Sequence, residues 1–220
     1  MAYDGHVDVN GTTEKRDLSG LMIRKTCVSP MANNAYLLEC RRTGDQLLID
    51  AADEADHLLR LVDEGAGPLR TVVTTHQHWD HHRALAAVVA ATGAVTVCGE
   101  DDAAGLPVRP DRTVRHGDTV EVGDVVLEVV HLRGHTPGSI ALAHRDPGGH
   151  THLFTGDSLF PGGVGNTKNP GQSFEQLFAD VTSRVFDVYD DDTWVYPGHG
   201  DDTTLGAERP HLEEWRARGW

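Results

Sequence analysis

The sequence predicts a mixed α/β fold, and three observations carry that prediction. Over residues 21–98, short apolar runs alternate with amphipathic helical patterns in the order β, β, β, α, β, α, β. Over residues 119–155 the pattern changes to period-two alternation broken by tight turns, the mark of antiparallel strands. Side chains of the metal-ligand type gather where strands end, the edge at which an α/β sheet presents its chemistry.

In chain order, residues 1–20 mix glycine, aspartate, threonine and charge with weak periodicity, and are expected to form a flexible or irregular N-terminal arm. Residues 21–220 are expected to form one domain. Leu21–Val28 reads as a strand ended by Pro30. Ala35–Cys40 and Gln46–Asp50 follow as a hairpin about Thr43-Gly44-Asp45, apolar enough to be buried on both faces. Asp53 is the expected N-cap of a helix that buries Ala55, Leu58, Leu59 and Val62, and Gly65 and Gly67-Pro68 stop it. Residues 70–75 form a strand, residues 82–91 a helix burying Leu85, Val88 and Val89, and Ala94–Cys98 another strand after Gly93. Thr119–Val122 pairs with Val125–Leu132 about Gly123-Asp124, and Ser139–Ala143 with Thr151–Thr155 about residues 146–149. His144, His150 and His152 beside that turn are expected at the surface. Residues 161–172 are a loop rich in Gly, Pro and Asn, long enough to suggest a functional role. Ser173 and Gln176 make a capping box for a helix with Phe174, Leu177, Phe178, Val181, Val185 and Val188 on one face. After a solvated turn at Asp190–Asp192 come a last strand, Thr193–Tyr196, and a last helix, Pro210–Arg218, anchored by Leu212 and Trp215.

Composition excludes several classes of function. Lys and Arg total 19 against 34 Asp and Glu, a net charge of −15 with His neutral, which repels phosphate backbones and argues against a nucleic-acid partner. No apolar run approaches the roughly 18 residues of a membrane span. Residues 1–10 lack the apolar core of an export signal, so a cytoplasmic location is expected. Cys27, Cys40 and Cys98 are odd in number, far apart and without a C-x-x-C pair, so buried free thiols are expected. No pattern in the chain specifies an oligomeric state.

The chemistry concentrates in Thr75-His76-Gln77-His78-Trp79-Asp80-His81, between a strand and a helix. Imidazole and carboxylate are ligands of borderline metals such as zinc. Residues 76 and 78 alternate and can converge on one ion, while 80 and 81 on the next turn can face a second. Trp79 is expected to pack, and His82 to be no more than a helix N-terminal residue. Three further strand ends repeat the arrangement of small turn residues around a ligand: Gly134-His135-Thr136-Pro137-Gly138, Thr155-Gly156-Asp157-Ser158 and Tyr196-Pro197-Gly198-His199-Gly200. Seven candidate ligands result: His76, His78, Asp80, His81, His135, Asp157 and His199.

This ordered set, H-x-H-x-D-H, then Gly-His-Thr-Pro-Gly, Gly-Asp-Ser-Leu-Phe and Pro-Gly-His, resembles the metallo-β-lactamase superfamily over about residues 21–205. It is most similar to the glyoxalase II branch in a short form. The resemblance implies a four-layer αββα sandwich with a two-metal site on one edge. His76, His78 and His135 would hold one divalent ion and Asp80, His81 and His199 the other, with Asp157 bridging. Zinc is the expected metal, with iron and manganese as alternatives. The implied reaction is hydrolysis of a small acyl thioester by a metal-bridging hydroxide, which Asp80 would orient. About 20 residues follow the Pro-Gly-His motif, so the helical C-terminal domain of full-length glyoxalase II is expected to be missing. Ser139 stands where the family often has His, and the loop after Gly-Asp-Ser-Leu-Phe lacks the usual Arg; Asn166 and Lys168 are the candidate contacts to an anionic substrate there. Arg outnumbers Lys 16 to 3, a composition of GC-rich genomes, which opens a carrier thiol other than glutathione. The alternatives are a mononuclear-iron oxidoreductase like the persulfide dioxygenases, and a lactonase or ester hydrolase on the same site.

Overall fold

Strands apolar at both alternations need cover on both faces, and the computed structural model, which describes residues 3–220, provides it in four layers. The first sheet has seven strands in chain order: β1 Glu14–Asp17, β2 Leu21–Val28, β3 Asn33–Cys40, β4 Gln46–Ile49, β5 Leu69–Thr74, β6 Val95–Gly99 and β7 Arg112–Val114. Its β1–β4 half is antiparallel and its β4–β7 half parallel. Helices α1 Ala55–Asp63 and α2 Leu85–Thr92 make the crossovers before and after β5. The second sheet contains β8 Thr119–Val122, β9 Val125–His131, β10 Ile140–Arg145, β11 Thr151–Gly156, β14 Trp194–Pro197 and β15 Thr203–Thr204, in the spatial order β15-β14-β11-β10-β9-β8. A small hairpin, β12 Leu159–Phe160 with β13 Gly163–Val164, and helix α3 Phe174–Val181 intervene between β11 and its parallel partner β14. Helices α4 Leu205–Glu208 and α5 Leu212–Arg218 end the chain.

Period-two alternation sorts the apolar residues into three clusters. Leu47, Ile49, Leu127, Val129, Leu142 and Phe154 meet between the sheets. Leu48 and Val72 face outward under Leu58, Leu61, Leu85 and Val88 of α1 and α2. Val130, Ala141 and Leu153 face the other way, under Leu177, Val181 and Trp215 of α3 and α5. Burying such side chains supplies about 1.5–3 kcal/mol each. The αββα layering expected from the resemblance is thus present. Among the described residues no helix is long and apolar enough to cross a membrane.

Several local expectations need correction. The 1–20 arm contains strand β1, which pairs antiparallel with β2 from Glu14↔Lys25 to Asp17↔Met22. The N-cap of α1 is Glu54, in the left-handed region at φ 53° and without a side-chain cap bond. Asp53 instead pairs with Arg83 at 2.9 Å. On α1, Leu61 is buried and Leu59 only partly so. Helix α2 begins at Leu85, because residues 79–81 form a tight 3-10 turn that presents candidate ligands. His144 and His152 are directly opposed on β10 and β11 and buried, since they share the inward face of Leu142 and Phe154. Burial pushes His152 down to about 3. Ser173 Oγ caps α3 by accepting from Gln176 N–H, but the Gln176 side chain turns to Asp180. Val188 is exposed, because the helical run ends in a π turn at Phe186. Strand β15 adds an unexpected edge after residue 200. The three cysteines are buried and free, as expected.

Candidate metal centre

The seven candidate ligands arrive from both sheets at one edge of the sandwich. β5 delivers His76, His78 and the turn with Asp80 and His81, while β9, β11 and β14 of the second sheet deliver His135, Asp157 and His199. The ligand atoms of His76, His78 and His135 lie within 4.8 Å of one another, and so do those of Asp80, His81 and His199. Asp157 sits between the triads: its Oδ2 is 3.6 Å from His135 Nε2 and 3.5 Å from His199 Nε2, and its Oδ1 is 3.3 Å from His81 Nε2. Such separations match the ~3.4 Å edge of a tetrahedron around an ion bound at ~2.1 Å. Gly198 makes room, because a Cβ there would overlap Asp157 Oδ1.

Four imidazoles are fixed with Nε2 turned inward. His76 Nδ1 lies 3.0 Å from Thr75 Oγ1, whose own proton goes to Asp50 Oδ2. His81 Nδ1 donates to Asp50 Oδ2 (2.9 Å), His135 Nδ1 to the Asn166 carbonyl (2.7 Å) and His199 Nδ1 to the Met31 carbonyl (2.9 Å). A proton held on Nδ1 leaves the Nε2 lone pair for a metal. His76 Nε2, His135 Nε2 and Asp157 Oδ1 are buried without a hydrogen-bond partner among the described residues. Orphaned buried polar atoms cost about 1–3 kcal/mol each unless something meets them. Divalent cations held in the His76, His78, His135 and His76, His81, Asp157 groups would meet them, so these residues fit a metal centre.

Electrostatics divides the site. Burial, then the neighbouring imidazoles, holds His76 well below the usual histidine range, and burial with His135 lowers His78. Burial also opposes charge on His81 and His199, but there carboxylates win. Asp157 and Asp50 raise His81 well above its ordinary value, and Asp157 with Asp80 raises His199 to about 10. Burial penalises the charged forms of Asp80 and Asp157, yet His199 and His81 hold both below the usual carboxylate range.

Sequence reasoning missed the side chains that brace this edge. Asn33 Nδ2 donates to Asp80 Oδ2 at 3.0 Å, and Asn34 Nδ2 to the carbonyls of Pro197 and Gly200. Lys25, fully buried, donates to the carbonyls of Gly5 and Gly200 and to Asp202. Asp50 offered a signal, a carboxylate at a strand end like the ligands themselves. His82 is more than a helix start: it is buried, and its Nε2 donates to the Gln77 carbonyl at 3.1 Å. Trp79 does not pack into the core; it is 57% exposed, under Arg83. Asn166 and Lys168 are exposed, and the Asn166 backbone carbonyl meets His135 Nδ1. A cavity of about 750 Å³ is lined by none of these candidate ligands and opens at the opposite end of the sandwich, beside Cys40, Val125 and His144.

Residues 28–199 match the metallo-β-lactamase superfamily. The chain belongs to that superfamily. Among its relatives is a hydroxyacylglutathione hydrolase from Polaromonas sp., 39% identical over 76% of this chain. This superfamily member spans 62% of that relative's length. Among solved structures, ETHE1 from Myxococcus xanthus superposes with a TM-score of 0.76 at 33% identity, covering 86% of this chain and 82% of that one. TTHA1623 in a di-iron-bound form superposes with a TM-score of 0.71 at 33% identity, covering 84% of this chain and 96% of that one.

Proposed function

We propose that this protein is a metal-dependent hydrolase of thioesters formed between an acyl group and a low-molecular-weight thiol. The observation that carries the reading is the paired triad with Asp157 between its halves. His76, His78 and His135 would hold one divalent ion and Asp80, His81 and His199 the other, with Asp157 reaching both. Zinc is the proposed metal; iron and manganese accept the same imidazole and carboxylate donors. Ions held there would activate a water near neutral pH and polarise a carbonyl. The chain's own groups do the rest. Nδ1 partners at Thr75, Asp50, Asn166 and Met31 hold the imidazoles in one tautomer. Asp80, anchored by Asn33, is assigned to orient the attacking water. Asn166 and Lys168 are assigned to contact an anionic carrier. The hydroxyacylglutathione hydrolase relative supports thioester chemistry, and the carrier here is glutathione or another small thiol.

The test is thiol release from a panel of acyl thioesters on different small thiols, using zinc-loaded protein. Release from one carrier, lost in Asp80→Ala, supports the reading and names the thiol; no release from any carrier withdraws it. The likeness to ETHE1 favours one second reading, a mononuclear-iron persulfide dioxygenase-like oxidoreductase. One iron per chain with oxygen uptake would establish it over hydrolysis.

A further inference from the structure

We propose that Asp102 is a positioning residue that sets the spacing between the loop carrying His76 and His78 and the loop carrying His135. The inference rests on the two-ion reading above. Asp102 lies in the 3-10 turn Glu100–Gly105 after β6, is fully buried and offers no atom to either triad. Its Oδ2 accepts from the N–H of Gln77, the residue between His76 and His78, at 2.9 Å. The same oxygen accepts from the Thr136 hydroxyl at 2.6 Å, and Oδ1 accepts from Gly138 N–H at 2.7 Å. Thr136 and Gly138 flank His135 on its C-terminal side. Among the described residues, Asp102 is the side chain whose hydrogen bonds reach both loops.

The contact is built for close approach. A Cβ on Gly138 would overlap the backbone nitrogen of Asp102, and a Cβ on Gly99 would overlap the Gly138 carbonyl. Two bare glycines therefore let the turn lie flush against the His135 loop. A carboxylate suits the position, because three donors converge on it and it presents only acceptors. An asparagine that satisfied Gln77 and Thr136 with its oxygen would turn its NH2 toward Gly138 N–H, donor against donor.

The opposite triad is braced by other groups. Asp50 holds His81, Asn33 holds Asp80, and the Met31 carbonyl holds His199. Asp102 takes part in none of these bonds. Its removal should loosen one half of the site and spare the other, a selectivity that general destabilisation would not produce.

The experiment is zinc stoichiometry and affinity by chelator competition on the full chain, for wild type, Asp102→Asn and Thr136→Val, with the spectrum of cobalt-substituted protein as a second readout. The expected result is that Asp102→Asn keeps one zinc at wild-type affinity and weakens the other 10–100-fold, the usual effect of losing a partner that orients ligands. The cobalt bands of one site should fade while the others persist. Thr136→Val, which deletes one of the three bonds and little volume, should weaken the same site by a smaller factor, and it keeps the test alive if the asparagine variant does not fold. Two zincs held at wild-type affinity in both variants would overturn the assignment, as would equal weakening of both sites with an unchanged far-UV circular dichroism spectrum. A wild-type chain that binds a single zinc overturns the two-ion reading instead. The role of Asp102 is then decided by whether that one affinity falls in the variants.

Discussion

Lys25→Met removes a cation from a place that water does not reach. The Lys25 and Asp202 side chains are both 0% exposed, with Nζ 2.7 Å from Oδ1. The ammonium also donates to the Gly5 carbonyl at 2.6 Å and the Gly200 carbonyl at 2.8 Å. Methionine keeps the length of the side chain and loses all three bonds. Among the described residues Asp202 would retain only Tyr3 Oη at 2.6 Å and Trp194 Nε1 at 2.9 Å as donors. Stranding one member of a buried pair costs about 3–5 kcal/mol. In a chain of this size that corresponds to a fall in Tm of roughly 6–20 °C. The deficit should also depend on pH. Burial already raises the Asp202 pKa, with Lys25 the main opposing influence, so the variant raises it further. A carboxyl whose folded pKa exceeds its unfolded value carries no penalty below the unfolded value of about 3.9 and the full penalty above the folded one. The difference between wild type and variant should therefore be small near pH 4.5 and widen toward pH 8. Metal-free protein in urea, titrated at both pH values, measures it. The double variant Lys25→Met/Asp202→Leu should recover part of the loss at pH 8. A deficit below about 1 kcal/mol at pH 8, or one equal at both pH values, would refute this reasoning.

Other outcomes follow from the same structure. His78→Ala and Asp80→Ala should each lower thiol release by more than the 10–100-fold typical of a residue that only orients ligands, with circular dichroism unchanged. Acid should strip the metal as pH falls through about 6, since the imidazoles must be neutral to bind. Proton competition is stronger at His81 and His199, whose pKa values are raised, than at His76 and His78, whose values are lowered. Cobalt bands from the Asp80, His81 and His199 half should therefore disappear at the higher pH. Trp79→Ala at the exposed rim should change stability by no more than about 0.5 kcal/mol. Trp215→Ala, which empties a position 1% exposed beneath the second sheet, should cost about 3–5 kcal/mol in chemical denaturation.

The candidate ligands were legible because each is a polar side chain stranded in a sharp turn at the end of an apolar run. His76 to His81, His135, Asp157 and His199 need no knowledge of tertiary contacts to stand out, only their strand-end setting and order. The groups that orient them were not legible. Asp102 reads as the last residue of the acidic run Glu100-Asp101-Asp102, whose first two members are exposed. Only the fold shows that residue 102 meets residues 136 and 138. Asn33 and Lys25 are hidden for the same reason, since their partners lie 47 and 177 residues away. The misplacement of His144 and His152 was avoidable. Both continue the inward alternation of Ile140 and Leu142 or of Phe154, and period two should have outweighed polarity. Trp79 failed in the opposite sense, because a large apolar residue inside a ligand turn has no core within reach.

Each triad takes ligands from both sheets, so an occupant of either is also a fastener. Closing His76 to His135, or Asp80 to His199, ties together segments 59 and 119 positions apart in the chain. The unfolded chain holds no such constellation, and binding energy at this edge becomes resistance to unfolding. A site filled at a thousand times its dissociation constant adds about 4 kcal/mol, comparable with the whole cost of Lys25→Met. Heat tolerance of this protein should then follow the free metal concentration of its surroundings, and a chelator should act on it much as a denaturant does.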